Sequence, residues 1–274
     1  MVRLDGYLQV DETPTRVLDK SKKGKCHLGY HWVYHSPPKR MVVFDYQKGR
    51  GKEAPREMLK NYRGYLQTDG HSVYQHYAQK EEIVHLACWA HARRYFEQAK
   101  DQDRERAAYA LDRIQCIYTI ERDAKELNPE QRKTLRIKKS LPVINDLGKW
   151  IARENKKVLP KSSIGKAFHY AINNWDSLLN YLYNGELLID NNLIENTIRP
   201  NALGRKNYLF AGSHNGAKRS AMFYTFTGTC KLKGVEPMAW LTEVLSRIAD
   251  HKVNRLYELF PQNLKLPESK PYEN

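Results

Sequence analysis

Long hydrophobic runs are missing from this 274-residue chain, and no apolar stretch approaches the roughly 20 residues needed to cross a bilayer. The opening Met1-Val-Arg-Leu-Asp-Gly-Tyr-Leu-Gln-Val has neither the apolar segment nor the small-residue cleavage site of a secretory signal, so a cytoplasmic location is expected. Cysteine is scarce. Cys26, Cys88, Cys116 and Cys230 are scattered, which suits reduced thiols and speaks against a disulfide framework. No repeat or low-complexity segment stands out. Acid is in deficit: 31 Asp and Glu stand against 46 Lys and Arg, a formal charge of +15 that favours a polyanionic partner. Nucleic acid fits that field, and a membrane partner is not expected. The deficit is also local. From Asn196 to Val235 there is no acid at all, while Arg199, Arg205, Lys206, Lys218, Arg219, Lys231 and Lys233 all lie inside. A charge run is usually a solvated face, but an acid-free stretch of this length argues for a track along a phosphate backbone. Lys20, Lys22, Lys23 and Lys25 form a second, nonspecific phosphate candidate.

What is present is ample core material, 41% hydrophobic residues with 18 Tyr, in two kinds of pattern. From Gly6 to Leu86 the chain reads as strands: Tyr7 to Val10 leading into Asp11, then Leu28 to Tyr34 with Tyr30, Trp32 and Tyr34 on one side, then Met41 to Phe44. A short helix from Glu53 to Tyr62 with Met58 and Leu59 inward follows, then strands at Tyr65 to Thr68 and Ile83 to Leu86. The order β-β-β-α-β-α-β is that of the first part of a ribonuclease-H-like fold. From Trp89 the period becomes helical. Asn128-Pro129 predicts an N-cap with proline at N1, Pro142 a kink or break, Ser162 or Ser163 another cap, and Asn184-Gly185 a stop. Helices are expected over Ala217 to Cys230 and Pro237 to Ala249, with a loose tail from Pro267. The fold class is therefore α/β, a mixed sheet with an all-helical insertion. The domains are residues 1–100 for the first part of the core, 101–183 for the insertion, 184–234 for the rest of the core and 235–274 for a helical C-terminal region.

Three acids sit in settings that suit metal chemistry: Asp11 in Val-Asp-Glu-Thr-Pro, Asp69 in Gln-Thr-Asp-Gly, and Glu195 in Asp190-Asn-Asn-Leu-Ile-Glu-Asn-Thr-Ile-Arg-Pro. Phosphodiester cleavage by two metals needs carboxylates around divalent ions about 3.5–4 Å apart. Mg²⁺ prefers oxygen ligands and keeps several waters, so a few Asp and Glu suffice. Each acid also has a plain structural reading. Asp69-Gly70 favours a turn, and Asn192-Leu-Ile-Glu195 fits a capping box.

These segments, with His85-Leu-Ala-Cys88-Trp-Ala-His91-Ala-Arg-Arg-Tyr-Phe, Pro160-Lys-Ser-Ser-Ile-Gly-Lys-Ala, Gly204-Arg-Lys-Asn-Tyr-Leu-Phe-Ala-Gly-Ser213 and Leu259-Phe-Pro-Gln-Asn, resemble in order and spacing the DDE transposases of the insertion sequence sixty-six family. The likeness runs from about residue 4 to about residue 265. It implies a ribonuclease-H-like catalytic domain, Mg²⁺- or Mn²⁺-dependent cleavage at element ends, and strand transfer by the freed 3′-hydroxyl. Asp11, Asp69 and Glu195 match the family's triad as catalytic and metal-holding residues. The implied partners are DNA, both element ends and target, further copies of the chain in a synaptic complex, and element-encoded accessory proteins. Family members carry an upstream region for the terminal repeats, and Met1 stands close before Asp11, so little end recognition is expected here.

Cys88-x-x-His91 resembles an element that follows the second Asp in several DDE transposase groups, which implies that His91 lies near the scissile phosphate. A buried His beside a core Trp89 is the rival reading. His85, Cys88 and His91 raise the question of zinc, but no paired motif supplies a fourth ligand. Arg199 falls on the helix face of Glu195 and, with Arg205, Lys206, Lys218 and Arg219, is a candidate for DNA contact. Tyr208 and Phe210 are expected in the core rather than stacked on bases. The rivals to a transposase are a ribonuclease-H-like nuclease or resolvase and a noncatalytic DNA-binding remnant.

Overall fold

Alternation of apolar and polar residues sets the first strands, and the computed structural model, which describes residues 6–19, 25–78 and 80–264, forms them as an antiparallel meander. They are β1 (Tyr7–Leu18), β2 (Cys26–Ser36) and β3 (Met41–Gln47). Asp11 lies opposite Val33, and Val33 opposite Phe44. After β3 come α1 (Arg56–Leu59), β4 (Gly64–Gln67), α2 (Ser72–Ala78) and β5 (Ile83–Leu86), with β4 and β5 parallel. The expected order of elements is the order found, and the chain is mixed α/β.

Helices make up most of the rest: α3 (Trp89–Ala99), α4 (Arg104–Asp123), α5 (Pro129–Leu135), α6 (Leu141–Glu154), α7 (Ser163–Asn173), α8 (Trp175–Leu179), α9 (Asn192–Tyr208), α10 (His214–Lys233) and α11 (Pro237–Arg247). The chain divides into two compact units, one drawn from Met1–Asn61 and Leu193–Asn274, the other from Tyr62–Asn192. The first holds β1 to β3, α10, α11 and nearly all of α9, and the second holds β4, β5 and the other long helices.

In the first unit, Val17, Val33, Val42, Phe44 and Tyr46 of the sheet pack against Ile194 and Ile198 of α9 and Ala217 and Ala221 of α10. Each fully buried aliphatic or aromatic side chain there contributes about 1.5–3 kcal/mol relative to exposure. The side of β3 away from β2 is met by α10. Thr225 Oγ1 accepts from the Phe44 N–H at 2.9 Å and Thr229 Oγ1 from the Val42 N–H at 3.3 Å. Gly228 permits this approach, since a Cβ there would stand 2.8 Å from Val42 Cγ1. Beyond α10, Trp240 and Val244 of α11 join Cys230 and Leu259 in a separate small core.

In the second unit the predicted caps form. Asn128 and Gln131 make a reciprocal capping box at α5, and Ser162 accepts from the Gly165 N–H at α7. The break expected at Pro142 takes the form of a π-helical turn over Arg136–Ser140 just before α6, which absorbs the hydrogen bond that proline cannot donate. Arg136 in that turn is fully buried. Its guanidinium donates to both Glu121 carboxylate oxygens, at 2.8 and 2.7 Å, and to the carbonyls of Tyr181, Asn184 and Leu187. All five of its N–H donors are used, which fixes the segment leading toward α9.

Several expectations change. β1 does not stop at Asp11 but continues to Leu18. Pro14 permits this because its carbonyl faces away from β2, where it accepts from Arg205, so the missing N–H costs the β1–β2 ladder nothing. The helix expected from Glu53 to Tyr62 is a single turn with Pro55 at its front; Leu59 is buried and Met58 half-buried. On β2, Trp32 and Tyr34 are buried as expected, but so are His31, Val33 and His35 on the opposite face. Lys20, Lys22, Lys23 and the tail from Pro267 lie outside the described residues, and Lys25 is exposed.

Candidate active site

Asp11 and Glu195 belong to the first unit. Period-two alternation puts Gln9, Asp11, Thr13, Thr15 and Val17 on one face of β1, and Val17 packs in the same core as Ile194 and Ile198, so this is the face that α9 covers. A direct bond ties the two elements. The fully buried Gln9 accepts from the Ile194 N–H through Oε1 at 3.2 Å, and the same oxygen lies 3.3 Å from His35 Nδ1. The strand of Asp11 and the first turn of the helix of Glu195 are thereby joined one residue from the Glu and two from the Asp. Asp11 is half-buried, with Oδ1 accepting from the Glu12 N–H at 2.8 Å. Glu195 is half-buried in the first turn of α9, where the helix dipole favours negative charge.

Just before Glu195, Asn192 donates its backbone N–H and its side-chain amide to Asp190, at 3.1 and 2.9 Å. The Tyr118 hydroxyl of α4 donates to the same Asp190 carboxylate at 2.8 Å.

Asp69 belongs to the second unit, two residues past β4. Its turn is real: Oδ1 accepts from the His71 N–H at 2.9 Å, and Gly70 takes φ +84°, which a side chain would strain. The Tyr170 hydroxyl of α7 donates to the Asp69 carbonyl at 2.9 Å, and Tyr95 of α3 stacks on Tyr170 at 4.8 Å. Lys166 and His169 of α7 line a cavity of about 290 Å³ beside Gly70. Sequence reasoning gave Tyr170, Tyr95 and Lys166 no role; Lys166 lay in the Pro160 motif as an unassigned residue.

His85 is held from both sides, by the Thr68 hydroxyl at Nε2, 2.9 Å, and the Ser177 hydroxyl at Nδ1, 3.0 Å. Burial pulls its pKa down to about 4, with the charge of Asp69 opposing. The Cys88 thiol is buried and pushed up to about 12, chiefly by desolvation. Both His85 nitrogens are thus engaged by hydroxyl groups. Trp89 is core, donating to the Leu178 carbonyl at 2.9 Å. His91 is half-buried in the first turn of α3, its Nε2 3.3 Å from the Arg94 guanidinium.

The basic residues divide by helix face. Ile194, Ile198 and Asn201 form the buried stripe of α9, and Arg205, one turn further, continues it toward the sheet, where it donates to the Pro14 carbonyl. Glu195, Arg199 and Lys206 share another stripe, on which Arg199 and Lys206 are exposed. Lys218 and Arg219 are exposed on α10, Lys218 near enough to Asp45 to oppose the rise that burial gives that carboxyl. Tyr208 and Phe210 are not core. They are 40% and 41% exposed, at the point where α9 ends.

The donors fit a hard cation in kind: Asp11, Asp69 and Glu195 offer only oxygen, and in both Asp residues a backbone N–H orients one carboxylate oxygen. Among the described residues, no group of three or more His, Cys, Asp or Glu forms a ready metal cage.

A family model described as Transposase IS66 family matches residues 1–219, and one described as IS66 C-terminal element matches residues 225–262. The chain is similar to uncharacterized protein y4hP of Sinorhizobium fredii, 34% identical over 89% of this chain and 48% of that protein. It is similar to y4qI of the same organism at 33%, over 93% and 50%, and to y4jD at 30%, over 93% and 53%. The chain thus spans about half the length of these curated relatives. No solved structure matches.

Proposed function

The chain belongs to the IS66 transposase family, and from that premise we propose that it is the catalytic part of a DNA transposase, cutting phosphodiesters at element ends and joining the freed 3′-hydroxyl to target DNA. In this reading the chain has a ribonuclease-H-like domain with a helical insertion, and Asp11, Asp69 and Glu195 hold Mg²⁺ or Mn²⁺. Such ions, when bound, supply activation of the attacking oxygen and stabilisation of the leaving one. The observation that carries the reading is the Gln9–Ile194 bond, which holds the strand of Asp11 and the helix of Glu195 on one sheet face.

The chain's own residues then have distinct tasks. Asp69 is held by its turn and by Tyr170 beneath it. Arg199 and Lys206 share the stripe of Glu195 and meet the DNA backbone, with Lys218 and Arg219 extending the contact along α10. His91 steadies the phosphate from the side of Asp69. Arg205 braces α9 against β1 through Pro14. Element ends, target DNA, further copies of the chain and accessory proteins are the partners.

The test is nicking of supercoiled plasmid in Mg²⁺ or Mn²⁺ by the parent and by Asp11→Asn. The variant is expected to lose cleavage while binding DNA as well or slightly better, since it loses a metal ligand and a negative charge. Equal cleavage by both overturns the assignment. Cleavage by the parent without joining of 3′ ends makes it a nuclease, and binding without cleavage makes it a noncatalytic DNA-binding protein.

A further inference from the structure

On the face of β1 opposite Asp11, the first unit has an open groove of about 550 Å³, within the roughly 300–1,000 Å³ typical of small-ligand sites. Its floor is apolar and aromatic: Leu28 and Tyr30 of β2, which pair with Arg16 and Pro14 of β1 and so share their face, and Leu209 just past α9. Leu28 is 51% exposed and Leu209 62%. Its rim is cationic. Arg16 is exposed on β1, and Arg50 is aimed by Glu12, whose side chain is 1% exposed and accepts from Arg50 Nε at 2.6 Å.

Leu209 is not there by looseness of the chain. It takes φ +62°, a region where a bulky side chain is strained. Its neighbours leave no alternative: the Ala211 N–H donates to the Arg16 carbonyl and the Leu18 N–H to the Ala211 carbonyl, both at 2.8 Å, while the Leu209 N–H returns to Arg205 at 3.1 Å. The backbone thus holds a large apolar side chain in solvent beside a tyrosine and two arginines.

The geometry points to a site for one unpaired nucleotide of DNA, its base laid on Tyr30 between Leu28 and Leu209 and its phosphate met by Arg16 and Arg50. A base inside a duplex has both faces stacked, so an apolar floor serves only a base that has left the stack. The surplus of cationic side chains over the single acid Glu12, itself paired, selects a phosphate-bearing ligand over a neutral aromatic one. The inference rests on DNA being the partner and adds that the enzyme captures a nucleotide out of the helix.

The experiment uses the full chain, a short duplex, and the same duplex carrying one extrahelical 2-aminopurine. The parent is expected to bind the bulged duplex roughly tenfold more tightly, the order of one stacked base, and to change the 2-aminopurine emission. Tyr30→Leu and Leu209→Gly should each remove most of that preference while plain duplex binding persists. Glycine adopts φ +62° without strain, so the second variant keeps the fold. Equal affinity of the parent for both duplexes, or an unchanged preference in both variants, overturns the nucleotide site and leaves the DNA reading standing. Failure of the parent to bind any DNA overturns that reading as well. A DNA-independent dimer that either variant abolishes makes the groove a contact between copies and overturns the proposal.

Discussion

Gln9 and Ile194, 185 residues apart in sequence, are joined by a hydrogen bond from the Ile194 backbone N–H to the Gln9 side-chain oxygen. Both residues are fully buried, so the bond is made away from water, where an orphaned N–H costs about 1–3 kcal/mol. Gln9→Leu is expected to lower stability by that order and to slow plasmid nicking more than it weakens DNA binding, because it loosens the helix of Glu195 against the strand of Asp11. Urea unfolding alongside nicking rates checks this. Nicking at the parental rate would mean that the bond does not position the acids.

Arg136 carries a second stability prediction. Replacing it with Met leaves the half-buried Glu121 carboxylate and three carbonyls without the donors that Arg136 supplies. Breaking a buried pair in this one-sided way costs roughly 3–5 kcal/mol. Glu121→Gln, which keeps an acceptor, should cost less. Denaturant unfolding followed by the fluorescence of Trp89, Trp150 and Trp175, all in the second unit, reads the difference.

His85 should make stability depend on pH. Its pKa is about 4 in the fold against an ordinary 6.5, so between those values the unfolded chain binds the extra proton. Its contribution is complete above pH 6.5 and is lost as pH falls toward 4, by on the order of 3 kcal/mol in total. Burial lowers His35 to about 4 as well, so the two add. His85→Gln should therefore flatten, without abolishing, the fall in melting temperature between pH 6.5 and pH 4. A slope identical to that of the parent would show that His85 titrates normally.

The two neighbours at the end of α9 should behave differently toward salt. Lys206 is exposed on the stripe of Glu195, and its replacement by Ala should reduce the magnitude of the log affinity against log salt slope on duplex DNA by about 0.9. Arg205→Ala should leave that slope nearly unchanged and lower stability instead, since its guanidinium is directed to Pro14. Equal slope changes in both variants would place Arg205 on the DNA as well.

Local signals account for what the sequence made legible. The cap at Asn128, the cap at Ser162, the disturbance before Pro142 and the meander of β1 to β3 depend on neighbours within a few residues, and they formed as read. The misreadings share a different cause. Whether Pro14 ends a strand depends on which way its carbonyl faces, and whether Tyr208 and Phe210 are core depends on what packs over them. The three acids could be singled out from their settings, but their division between two units could not, nor could the link through Gln9, a residue with no motif of its own. Tyr170 was invisible as a partner of Asp69 because its bond goes to a backbone carbonyl, which no side-chain pattern betrays.

Thr225 and Thr229 lie one helical turn apart, a rise of about 6 Å, and they meet Phe44 and Val42, two strand residues spanning about 6.8 Å. The helix therefore stands where another strand would, giving β3 acceptors at nearly the repeat that a neighbouring strand would supply. A second molecule cannot template onto the sheet at these positions, so the edge is closed to polymerisation as well as to productive pairing. Strand addition by another chain is excluded along this part of β3, and substitutions that turn Thr225 and Thr229 into Val would leave the Phe44 and Val42 N–H groups without the acceptors that the native sequence supplies.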